Sequence, residues 1–460
     1  MIAQEIFKAY DIRGIVGKTL TDQDAYFIGR AIGTIAHERK ISKIAVGRDG
    51  RLSGSLMQKQ LIAGILDSGV SVLDVGMVAT PMLYFAAYSH CHGSGVMVTG
   101  SHNPADYNGF KMLLGGISLS GEEIQALYQR IIKEDFNKPE EEGLINQLDV
   151  EQSYIDYIVK NIQLERRLSI AVDCGNGVAG AFAGKLYREL GCNVFELYCE
   201  VDGNFPNHHP DPSKPKNLLD LIKAVKEYDC DLGLAFDGDG DRLGVVTKEG
   251  NIIWPDRQLM LFSADVLQRN PGAKIIYDVK STRNLAPWIQ KHGGEPVLSR
   301  TGHSFIKMAM KETGALLAGE MSGHIFFRER WLGFDDGLYA GARLLEIVSA
   351  HESPSEVLNQ LPDAISTPEI NIEMEKEGDN HRLIEALQQE AHFDKAQNII
   401  RIDGLRVEYE DGFGLMRASN TTPVLVLRFE ANTQNALEYI QSQFQQVLNP
   451  YGFDLSAYLK

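Results

Sequence analysis

The segment KIAVGRDGR (residues 43–51) indicates the fold, because a run of apolar and β-branched residues ends there in glycine and charged residues. Two later segments repeat this pattern, SIAVDCGNG (169–177) and KIIYDVKST (274–282). Each segment is followed by a stretch of about 15–20 residues with helical character. We therefore expect each of the three segments to be the first strand of a separate unit in which strands and helices alternate.

Each unit contains two further strands. The second strands are VSVLDVG (70–76), CNVFELY (192–198) and GEPVLSR (294–300). The third strands lead into polar loops, and they are GVMVTGSHNP (95–104), LGLAFDGDGDR (232–242) and ALLAGEMSGH (315–324). Such alternation predicts parallel sheets with crossover helices, and ligands bind at the carboxyl ends of such strands. The three polar loops are therefore expected to meet in one cleft.

The pattern changes after about residue 364. Segment 403–431 (DGLRVEYEDGFGLMRASNTTPVLVLRFEA) predicts short strands joined by Asp-Gly turns, and segment 435–448 predicts an amphipathic helix. The predicted fold class is α/β, with three similar domains of mixed or parallel sheets and a C-terminal α+β domain around a central cleft. The predicted domains are 1–147, 148–250, 251–363 and 364–460.

The composition excludes several functional classes. The chain has 460 residues, with 45 Lys and Arg against 62 Asp and Glu, for a net charge of −17. This charge argues against nucleic-acid binding, so an anionic ligand would need a local group of cations, backbone N–H donors or a metal. Five cysteines without C-x-x-C spacing indicate reduced thiols in a cytoplasmic protein. We find no secretory signal and no apolar run of about 18 residues, and hence no membrane partner is expected.

The sequence DGDGD places three carboxylates in one glycine-rich turn, at Asp237, Asp239 and Asp241. Carboxylate oxygens are preferred ligands of Mg²⁺, and the glycines let a short loop turn all three toward one ion. A calcium EF-hand loop is excluded because Arg242 and Lys248 stand where that loop requires Gly and Glu. A solvated acidic turn is the alternative.

Ser101 lies in TGSHNP at the end of a strand, where it is suited to act as a nucleophile or phosphate carrier. A capping or turn serine is the alternative. We do not expect Ser101 and His102 to form a hydrolase pair, because adjacent side chains rarely reach the required geometry and no G-x-S-x-G motif is present. A hairpin return in NGFK would bring Lys111 near Ser101, although a single lysine is more often a surface residue.

Several further polar groups fall at strand ends or loops. GEMSGH offers donors and acceptors suited to sugar hydroxyls, and RASNTTP offers an Arg fork and hydroxyls suited to phosphate. An ordinary polar turn is the alternative for each. The candidates in these and neighbouring segments are Glu320, Ser322 and His324; Arg417, Ser419, Asn420 and Thr421; Lys280, Thr301, Gly302 and His303; and Tyr10 and Arg13.

The sequence GNGVAG (175–180) matches the dinucleotide pattern G-x-G-x-x-G, with Glu196 about 20 residues further on. Asp173 directly precedes the glycines, and its charge would disfavour a pyrophosphate. A glycine-rich structural turn is therefore favoured over a nucleotide site.

Taken together, five motifs in this order resemble the α-D-phosphohexomutase superfamily: KAYDIRG, TGSHNPADYNGFK, DGDGDR, GEMSGH and RASNTTP. The chain looks most like the bacterial phosphomannomutase/phosphoglucomutase branch, and the resemblance covers nearly the whole sequence. Met321 in GEMSGH is similar to that branch rather than to phosphoglucosamine mutases, where Gln is usual.

The resemblance implies a role for each motif. Ser101 would carry the phosphoryl group and complete a Mg²⁺ site with the three aspartates, supported by Arg242. Lys111, His102 or His303 would assist proton transfer, with the choice left open. The substrate-binding residues it implies are Tyr10, Arg13, Lys280, Thr301, Gly302, Glu320, Ser322 and His324, with Arg417, Ser419, Asn420 and Thr421 holding the phosphate that does not react.

The implied reaction is reversible transfer of a phosphoryl group between C1 and C6 of glucose or mannose phosphates, through a phosphoserine and a hexose 1,6-bisphosphate. Glucose 1,6-bisphosphate would act as activator. The alternatives are a phosphoglucosamine mutase, a Mg²⁺-dependent phosphatase with an aspartate nucleophile, and a non-catalytic binder of sugar phosphates or dinucleotides. The sequence leaves the oligomeric state open, and a monomer is compatible with it.

Overall fold

The computed structural model describes residues 2–376, 378–420 and 422–459. These residues form four β-sheets of seven, five, four and six strands, in chain order. Within the described ranges, no helix is both long enough and apolar enough to span a bilayer.

The first sheet lies in the N-terminal part of the chain. Its strands are β1 Ile12–Ile15, β2 Lys43–Arg48, β3 Ser71–Met77, β4 Gly95–Val98, β5 Tyr107–Leu114, β6 Ile117–Ser118 and β7 Ile145–Gln147. Its helices are α1 Asp22–Glu38, α2 Gly54–Leu66, α3 Thr80–His90 and α4 Glu122–Ile132. The strand order is β1-β5-β4-β2-β3-β7, with β6 paired to β5. Thr21 and Asp24 form a capping box that fixes the start of α1.

The second sheet follows helix α5 Glu151–Asn161. Its strands are β8 Ser169–Asp173, β9 Asn193–Leu197, β10 Leu232–Phe236, β11 Leu243–Thr247 and β12 Ile252–Ile253. The helices between them are α6 Ala183–Glu189 and α7 Leu219–Glu227. The strand order is β12-β11-β10-β8-β9.

The third sheet begins after helix α8 Pro255–Arg269. Its strands are β13 Lys274–Asp278, β14 Glu295–Ser299, β15 Leu317–Gly319 and β16 Ile325–Phe327. The remaining helices are α9 Leu285–Lys291, α10 His303–Thr313, α11 Gly337–Ser349 and α12 Pro354–Asn359. The strand order is β14-β13-β15-β16.

The fourth sheet is antiparallel and is packed with two helices. Its strands are β17 Ile365–Ser366, β18 Ile370–Glu373, β19 Asn398–Ile400, β20 Leu405–Tyr409, β21 Gly412–Ala418 and β22 Val424–Ala431. The helices are α13 Asp379–Glu390 and α14 Gln434–Leu448. This arrangement agrees with the predicted α+β unit of short strands followed by a helix.

The first three units share one plan. In each, the first strand lies between the second and third strands and is parallel to both, as in β3-β2-β4, β9-β8-β10 and β14-β13-β15. The next strand then returns antiparallel beside the third, as in β4-β5, β10-β11 and β15-β16. The sheets are therefore mixed, and each polar loop is the connection between the third strand and its antiparallel partner.

The helices after the first strands are shorter than the sequence pattern predicts. Helix α2 has 13 residues, while α6 and α9 have seven each. In the second unit, a glycine turn and the 3₁₀ segment Val178–Ala181 come before α6. In the third unit, the polar residues Ser281–Asn284 form a turn before α9. The residues that directly follow these first strands therefore form loops before the helices begin.

The first three units also share a hydrophobic core. Every residue of α3 from Thr80 to Ala87 is buried. Phe85 of α3 belongs to the same core as Tyr154 of the second unit and Trp331 of the third. The fourth unit has a separate core. Continuous packing therefore fixes the first three sheets relative to one another and directs their polar loops toward one cleft.

Candidate active site

Ser101 lies in the loop between β4 and β5 and is 1% exposed. Its hydroxyl is 3.1 Å from Asp237 Oδ2 and 3.2 Å from His102 Nδ1. The second contact shows that these adjacent side chains do meet, although it does not by itself make them a hydrolase pair. It forms because Ser101 has φ +49°, a left-handed conformation in which the chain turns sharply.

The three aspartates of DGDGD form the second part of the site. Asp237, Asp239 and Asp241 are fully buried, and each offers an oxygen within 4.8 Å of the others. Gly238 permits close contact with the serine loop, since a Cβ there would lie 2.3 Å from the Ser101 carbonyl oxygen. Among the described residues, Asp239 Oδ1 has no hydrogen-bond partner. Three buried carboxylates with an unused oxygen fit a hard divalent cation.

Lys111 extends from β5 into this carboxylate cluster. Its Nζ donates to Asp239 Oδ2 at 2.7 Å and also to Asp241 Oδ2. Thr80 donates its hydroxyl to the same oxygen of Asp239 at 2.5 Å. The sequence predicts Lys111 near Ser101, and the structure brings it to the aspartates beside the serine.

The pKa values of the cluster are set by burial and by the charges of the neighbouring side chains, including the Lys111 ammonium. Burial would lower the pKa of Lys111, but Asp239 and Asp241 raise it above its usual value. Burial would raise the pKa of Asp241, but Lys111 and His324 hold it well below the usual range. Burial, Asp239 and Asp241 together raise the pKa of Asp237 well above its usual value. The cluster therefore carries more negative charge than Lys111 alone can balance.

Arg242 and His324 connect the aspartate loop to the loop after β15. Arg242 Nε is 3.7 Å from Asp237 Oδ2 and 3.3 Å from His324 Nε2. His324 Nε2 is also 3.4 Å from Asp241 Oδ1. Burial alone would lower the pKa of His324, but Asp241 raises it to about 9.

The loop after β15 is organised by Glu320 and by the end of β13. Glu320 accepts from the Gly302 N–H at 2.5 Å, and its Oε2 is 3.3 Å from His324 Nδ1. His324 Nδ1 is also 2.8 Å from Ser322 Oγ. Asp278 at the end of β13 accepts from the Thr301 hydroxyl at 3.0 Å. The predicted residues of the third unit therefore form one connected polar group.

Two other predicted residues from the third unit differ in their contacts: Lys280 has an ion-pair partner, whereas neither ring nitrogen of His303 has a hydrogen-bond partner among the described residues. Lys280 Nζ lies 3.0 Å from Glu369 Oε2 of the fourth unit, and this ion pair lowers the pKa of Glu369 to about 2. His303 is buried, and its ring lies 5.1 Å from that of Tyr10. Burial, followed by Lys307, lowers the pKa of His303 well below its usual value.

The N-terminal segment also contributes side chains to the cleft, Tyr10 and Arg13. Arg13 donates to Asp11 and to the side chain of Asn103, which lies in the serine loop. Burial raises the pKa of Tyr10 to about 12, so its hydroxyl stays protonated at neutral pH. Both side chains line the same cleft as Ser101.

Arg417 is the main cation supplied by the fourth unit. It is 4% exposed at the end of β21, and its Nε donates to Asp403 Oδ2 at 3.0 Å. The same carboxylate oxygen accepts the Thr301 N–H at 2.9 Å, so Asp403 links the third and fourth units. Ser419 and Asn420 lie beside Arg417 in the cleft, whereas Thr421 lies outside the described residues.

One cleft of about 610 Å³ brings these loops together. All four units contribute to its lining, and the aspartate cluster lies directly behind Ser101 and Lys111. The predicted residues that line it are Tyr10, Arg13, Ser101, His102, Lys111, Arg242, Lys280, Thr301, Gly302, His303, Glu320, Ser322, His324, Arg417, Ser419 and Asn420. Such a cleft can hold an anionic sugar between Ser101 and Arg417.

Several groups at the site were missed by the sequence analysis. Asp49 and Arg51 bind the serine loop, and Asp211, Ser213 and Lys214 line the cleft. The first pair lies in GRDGR, which we interpreted only as a strand end. The others lie in a segment dense in His, Pro and Asp, whose composition is a signal that could have been used.

The GNGVAG segment forms a glycine turn, in line with the interpretation favoured above. Gly175 has φ +48° and Asn176 has φ +60°. A Cβ at Gly177 would lie 3.0 Å from Gly238 Cα, so this glycine allows the turn to pack against the aspartate loop.

Comparisons with known proteins agree with this architecture. Four phosphoglucomutase/phosphomannomutase domain families match in order: alpha/beta/alpha domain I at residues 4–138, domain II at 152–250, domain III at 254–365 and the C-terminal domain at 369–447. The chain is 66% identical over 452 residues to a phosphoglucomutase of Neisseria gonorrhoeae, covering 98% of each chain. It is 58% identical over 444 residues to a phosphomannomutase/phosphoglucomutase of Pseudomonas aeruginosa, covering 96% of this chain and 95% of the relative.

A solved structure shows the same arrangement of domains. A phosphoglucomutase/phosphomannomutase family protein from Burkholderia thailandensis superposes with a TM-score of 0.93 at 54% identity, covering 98% of both chains. Since the four domain families cover most of the sequence and near relatives match it from end to end, the chain belongs to the phosphoglucomutase/phosphomannomutase family.

Proposed function

We propose that this protein is a hexose phosphate mutase that transfers a phosphoryl group reversibly between C1 and C6 of glucose and mannose phosphates. Ser101 carries the phosphoryl group, and a hexose 1,6-bisphosphate is the intermediate. The observation that carries the proposal is that Ser101 and Arg417, from the first and fourth units, line one cleft. Relatives named phosphoglucomutase and phosphomannomutase/phosphoglucomutase support it.

The residues around Ser101 suit phosphoryl transfer. Such a reaction passes through a loose transition state, so catalysis depends on positioning and on balancing charge. A sugar hydroxyl attacks the phosphorus of phosphorylated Ser101, the bond from phosphorus to Ser101 Oγ breaks, and the hydroxyl proton leaves to a base. Lys111 and Arg242 offset the negative charge on the phosphoryl oxygens.

Asp237, Asp239 and Asp241 would hold Mg²⁺ together with Ser101. Their buried oxygens and the unpartnered Asp239 Oδ1 fit that ion. When bound, the ion supplies positive charge that neutralises the phosphoryl group.

Three side chains are candidates for proton transfer. Lys111 is held by two carboxylates, His303 is buried beside Tyr10, and His102 Nδ1 is 3.2 Å from the Ser101 hydroxyl. The hydrogen bond to the reacting oxygen favours His102 as the group that exchanges a proton with Ser101.

The second half of the reaction requires the bisphosphate to turn end over end. Arg417, Ser419, Asn420 and Thr421 hold whichever phosphate is not reacting, while Glu320, Ser322 and His324 bind sugar hydroxyls. Lys280, Thr301, Gly302, Tyr10 and Arg13 complete the substrate site. Glucose 1,6-bisphosphate serves as activator because it can phosphorylate Ser101. A cytoplasmic location and the domain boundaries of the sequence analysis remain predictions, and the oligomeric state stays open.

The test is ³¹P NMR of the purified protein with Mg²⁺ and a trace of glucose 1,6-bisphosphate. Glucose 1-phosphate, mannose 1-phosphate and glucosamine 1-phosphate are supplied in separate tubes. We expect the first two to convert to 6-phosphates and the third to convert much more slowly. Comparable turnover of the third would assign the chain to the phosphoglucosamine branch instead.

Ser101→Ala should abolish conversion and prevent phosphorylation of the protein. Ser118→Ala, on β6 of the same unit, is the matched control and should retain both. Growth of free phosphate with no phosphorylated Ser101 would indicate a phosphatase and overturn the proposal.

A further inference from the structure

Arg51 lies in the turn after β2, is 2% exposed, and contacts the serine loop through its whole guanidinium group. One terminal nitrogen donates to the carbonyl oxygens of Ser101 and Asn103, both at 2.7 Å. The other donates to the carbonyl oxygen of Tyr107 at 2.9 Å and to that of Pro104. A guanidinium has five N–H donors, and four of them are bonded to this one loop.

The fifth donor binds Asp49. Arg51 Nε is 3.2 Å from Asp49 Oδ2, an oxygen that also accepts from the Thr99 hydroxyl at 2.7 Å and the Gly100 N–H at 3.3 Å. Asp49 thus holds the N-terminal side of the serine loop, while Arg51 holds its C-terminal side. Together they fix the backbone on both sides of Ser101.

Such fixation is needed because Ser101 adopts φ +49°, which non-glycine residues rarely occupy. A residue in that region keeps its conformation only where the surrounding structure determines it. The hydrogen bond from Arg51 to the carbonyl of Ser101 itself acts directly on the peptide group that would rotate. The conformation of Ser101 in turn directs its hydroxyl toward Asp237 and His102.

Two neighbours hold the guanidinium in place. The ring of Phe205, from the second unit, lies 5.2 Å from Arg51 Cζ as a cation–π contact. On the serine loop, Gly100 leaves room for the guanidinium, since a Cβ there would lie 2.5 Å from Arg51 Cζ. Because Phe205 belongs to the second unit, the packing of that unit on the first helps to hold the Arg51 guanidinium against the serine loop.

We propose that Arg51 is a positioning residue that sets the orientation of Ser101 Oγ for phosphoryl transfer. This inference rests on the proposed function, and it adds a residue that acts through Ser101 without touching the substrate. A displacement of reacting atoms by about 1 Å can lower a rate about 100-fold. Loss of the hydrogen bonds from Arg51 to the serine loop should therefore reduce kcat while leaving the affinity for the distal phosphate at Arg417 unchanged.

The experiment compares Arg51→Lys with the wild-type protein in Mg²⁺, glucose 1-phosphate and glucose 1,6-bisphosphate. An ammonium has three donors and cannot reproduce the four carbonyl contacts. We expect kcat to fall about 100-fold and KM to change by less than about threefold. The rate at which Ser101 gains a phosphoryl group from the bisphosphate, followed by intact mass, should fall with kcat.

Arg343→Lys is the matched control, since Arg343 is also fully buried but binds Asp265 and Glu329 near α8 and β16. It should lower the melting temperature and retain wild-type kcat. Gly100→Ala offers a second variant, in which Arg51 is intact but displaced, and it should show the same selective loss of kcat. In Arg51→Ala, added guanidinium ion at non-denaturing concentrations should partly restore kcat, which a general loss of stability would not permit.

The results distinguish failure of the proposed mutase function from failure of the positioning role of Arg51. A wild-type protein that neither converts glucose 1-phosphate nor phosphorylates Ser101 would overturn the proposed function and this inference with it. An active wild type, with Arg51→Lys and Gly100→Ala both near wild-type kcat, would overturn the inference alone. A fall in kcat no larger than that of Arg343→Lys would have the same meaning. Should Arg51→Lys fail to fold, Gly100→Ala decides the question.

Discussion

At the scale of single residues, the ammonium group of Lys111 contacts two of the three buried aspartates of the site. Lys111 is shared between Asp239 and Asp241, two carboxylates that also belong to the proposed metal site. In this position it reduces the repulsion among the buried aspartates, but it also competes with a cation for their oxygens. Lys111 should therefore weaken the binding of Mg²⁺ while it increases the rate of turnover.

We expect Lys111→Met to bind Mg²⁺ more tightly than the wild type while kcat falls by about 100- to 1000-fold. The removed positive charge leaves the aspartates more attractive to Mg²⁺, and the phosphoryl group loses a partner. The measurements are Mg²⁺ titration by calorimetry and the mutase rate at saturating Mg²⁺. Weaker Mg²⁺ binding in this variant would contradict the shared role. Lys43→Met, at the start of β2, is the control.

In the proposed function, Arg417 binds the substrate phosphate away from the reacting atoms. Its planar group is oriented by Asp403, and among the described residues its two terminal nitrogens have no hydrogen-bond partner, so they can form a fork for a phosphate. Arg417→Lys keeps the charge but loses the fork, so we expect KM for glucose 1-phosphate to rise about 10- to 100-fold. Phosphorylation of Ser101 at saturating bisphosphate should change much less.

Steady-state kinetics on Arg417→Lys and on Arg401→Lys measure this effect. Arg401 is an exposed arginine of the same unit, and its replacement should leave KM unchanged. A fall in kcat with KM unchanged in Arg417→Lys would assign Arg417 to the reacting centre instead.

At the scale of elements, helix α11 shows how a helix start supports the site. Asp336 is its N-cap and accepts from the Tyr339 N–H at 2.8 Å and from the Tyr154 hydroxyl at 2.9 Å. The next residue, Gly337, donates its N–H to the Gly240 carbonyl of the aspartate loop at 3.2 Å. The helix start is therefore connected to both the shared core and the proposed metal loop.

The stability of this helix start should depend on pH. Burial raises the pKa of Asp336 to about 8, with Tyr154, Tyr187 and Asp335 as the facing groups. Between the ordinary carboxyl pKa of about 4 and this value, the folded protein binds a proton that the unfolded chain has released. The free energy of unfolding should therefore decrease as pH rises through this window, by about 1.4 kcal/mol per pH unit from this group.

Asp336→Asn has no proton to lose and keeps a good N-cap. We expect the stability of this variant relative to the wild type to increase steadily from pH 5 to pH 8, measured by urea unfolding. Parallel pH profiles for both proteins would refute the assignment. Asp379→Asn, at the start of α13, is the control and should leave the pH dependence unchanged.

At the scale of the whole molecule, the fourth unit is attached to the third through buried polar groups. Arg428 of β22 lies 3.3 Å from Asp256 Oδ2 at the start of α8 and donates to the Lys280 carbonyl. Arg406 donates to the carbonyls of Val279 and Ser281 at 2.7 Å and 2.6 Å. This attachment sets the distance between Arg417 and the rest of the cleft.

We expect Arg428→Ala to lower the free energy of unfolding by about 3–5 kcal/mol, because Asp256 would remain buried without its cation. The fourth unit has its own core, so its melting should separate from that of the first three units in differential scanning calorimetry. Arg401→Ala, a surface substitution, should retain the wild-type thermogram. A single unshifted transition in Arg428→Ala would show that the attachment does not depend on this ion pair.

The sequence predicted the repeated succession of strands and helices and the polar loops after the third strands, because both are local patterns. Strands and helices follow apolar periodicity, and polar residues at the carboxyl ends of parallel strands meet at one edge of a sheet. Helix lengths in the second and third units were predicted less well, because turn residues after the strands take up backbone that the pattern assigned to helix.

Only the tertiary structure decided which residues act on one another. The sequence by itself indicated four units, their polar loops and many of the residues that line one cleft, but not Asp211, Ser213 and Lys214. It did not determine that Lys111 is shared by Asp239 and Asp241, that Asp403 joins Arg417 to Thr301, or that Arg51 holds the serine loop. These contacts join residues that are distant in the chain, and distances of a few ångströms between them depend on how sheets pack through a shared core rather than on any spacing in the sequence.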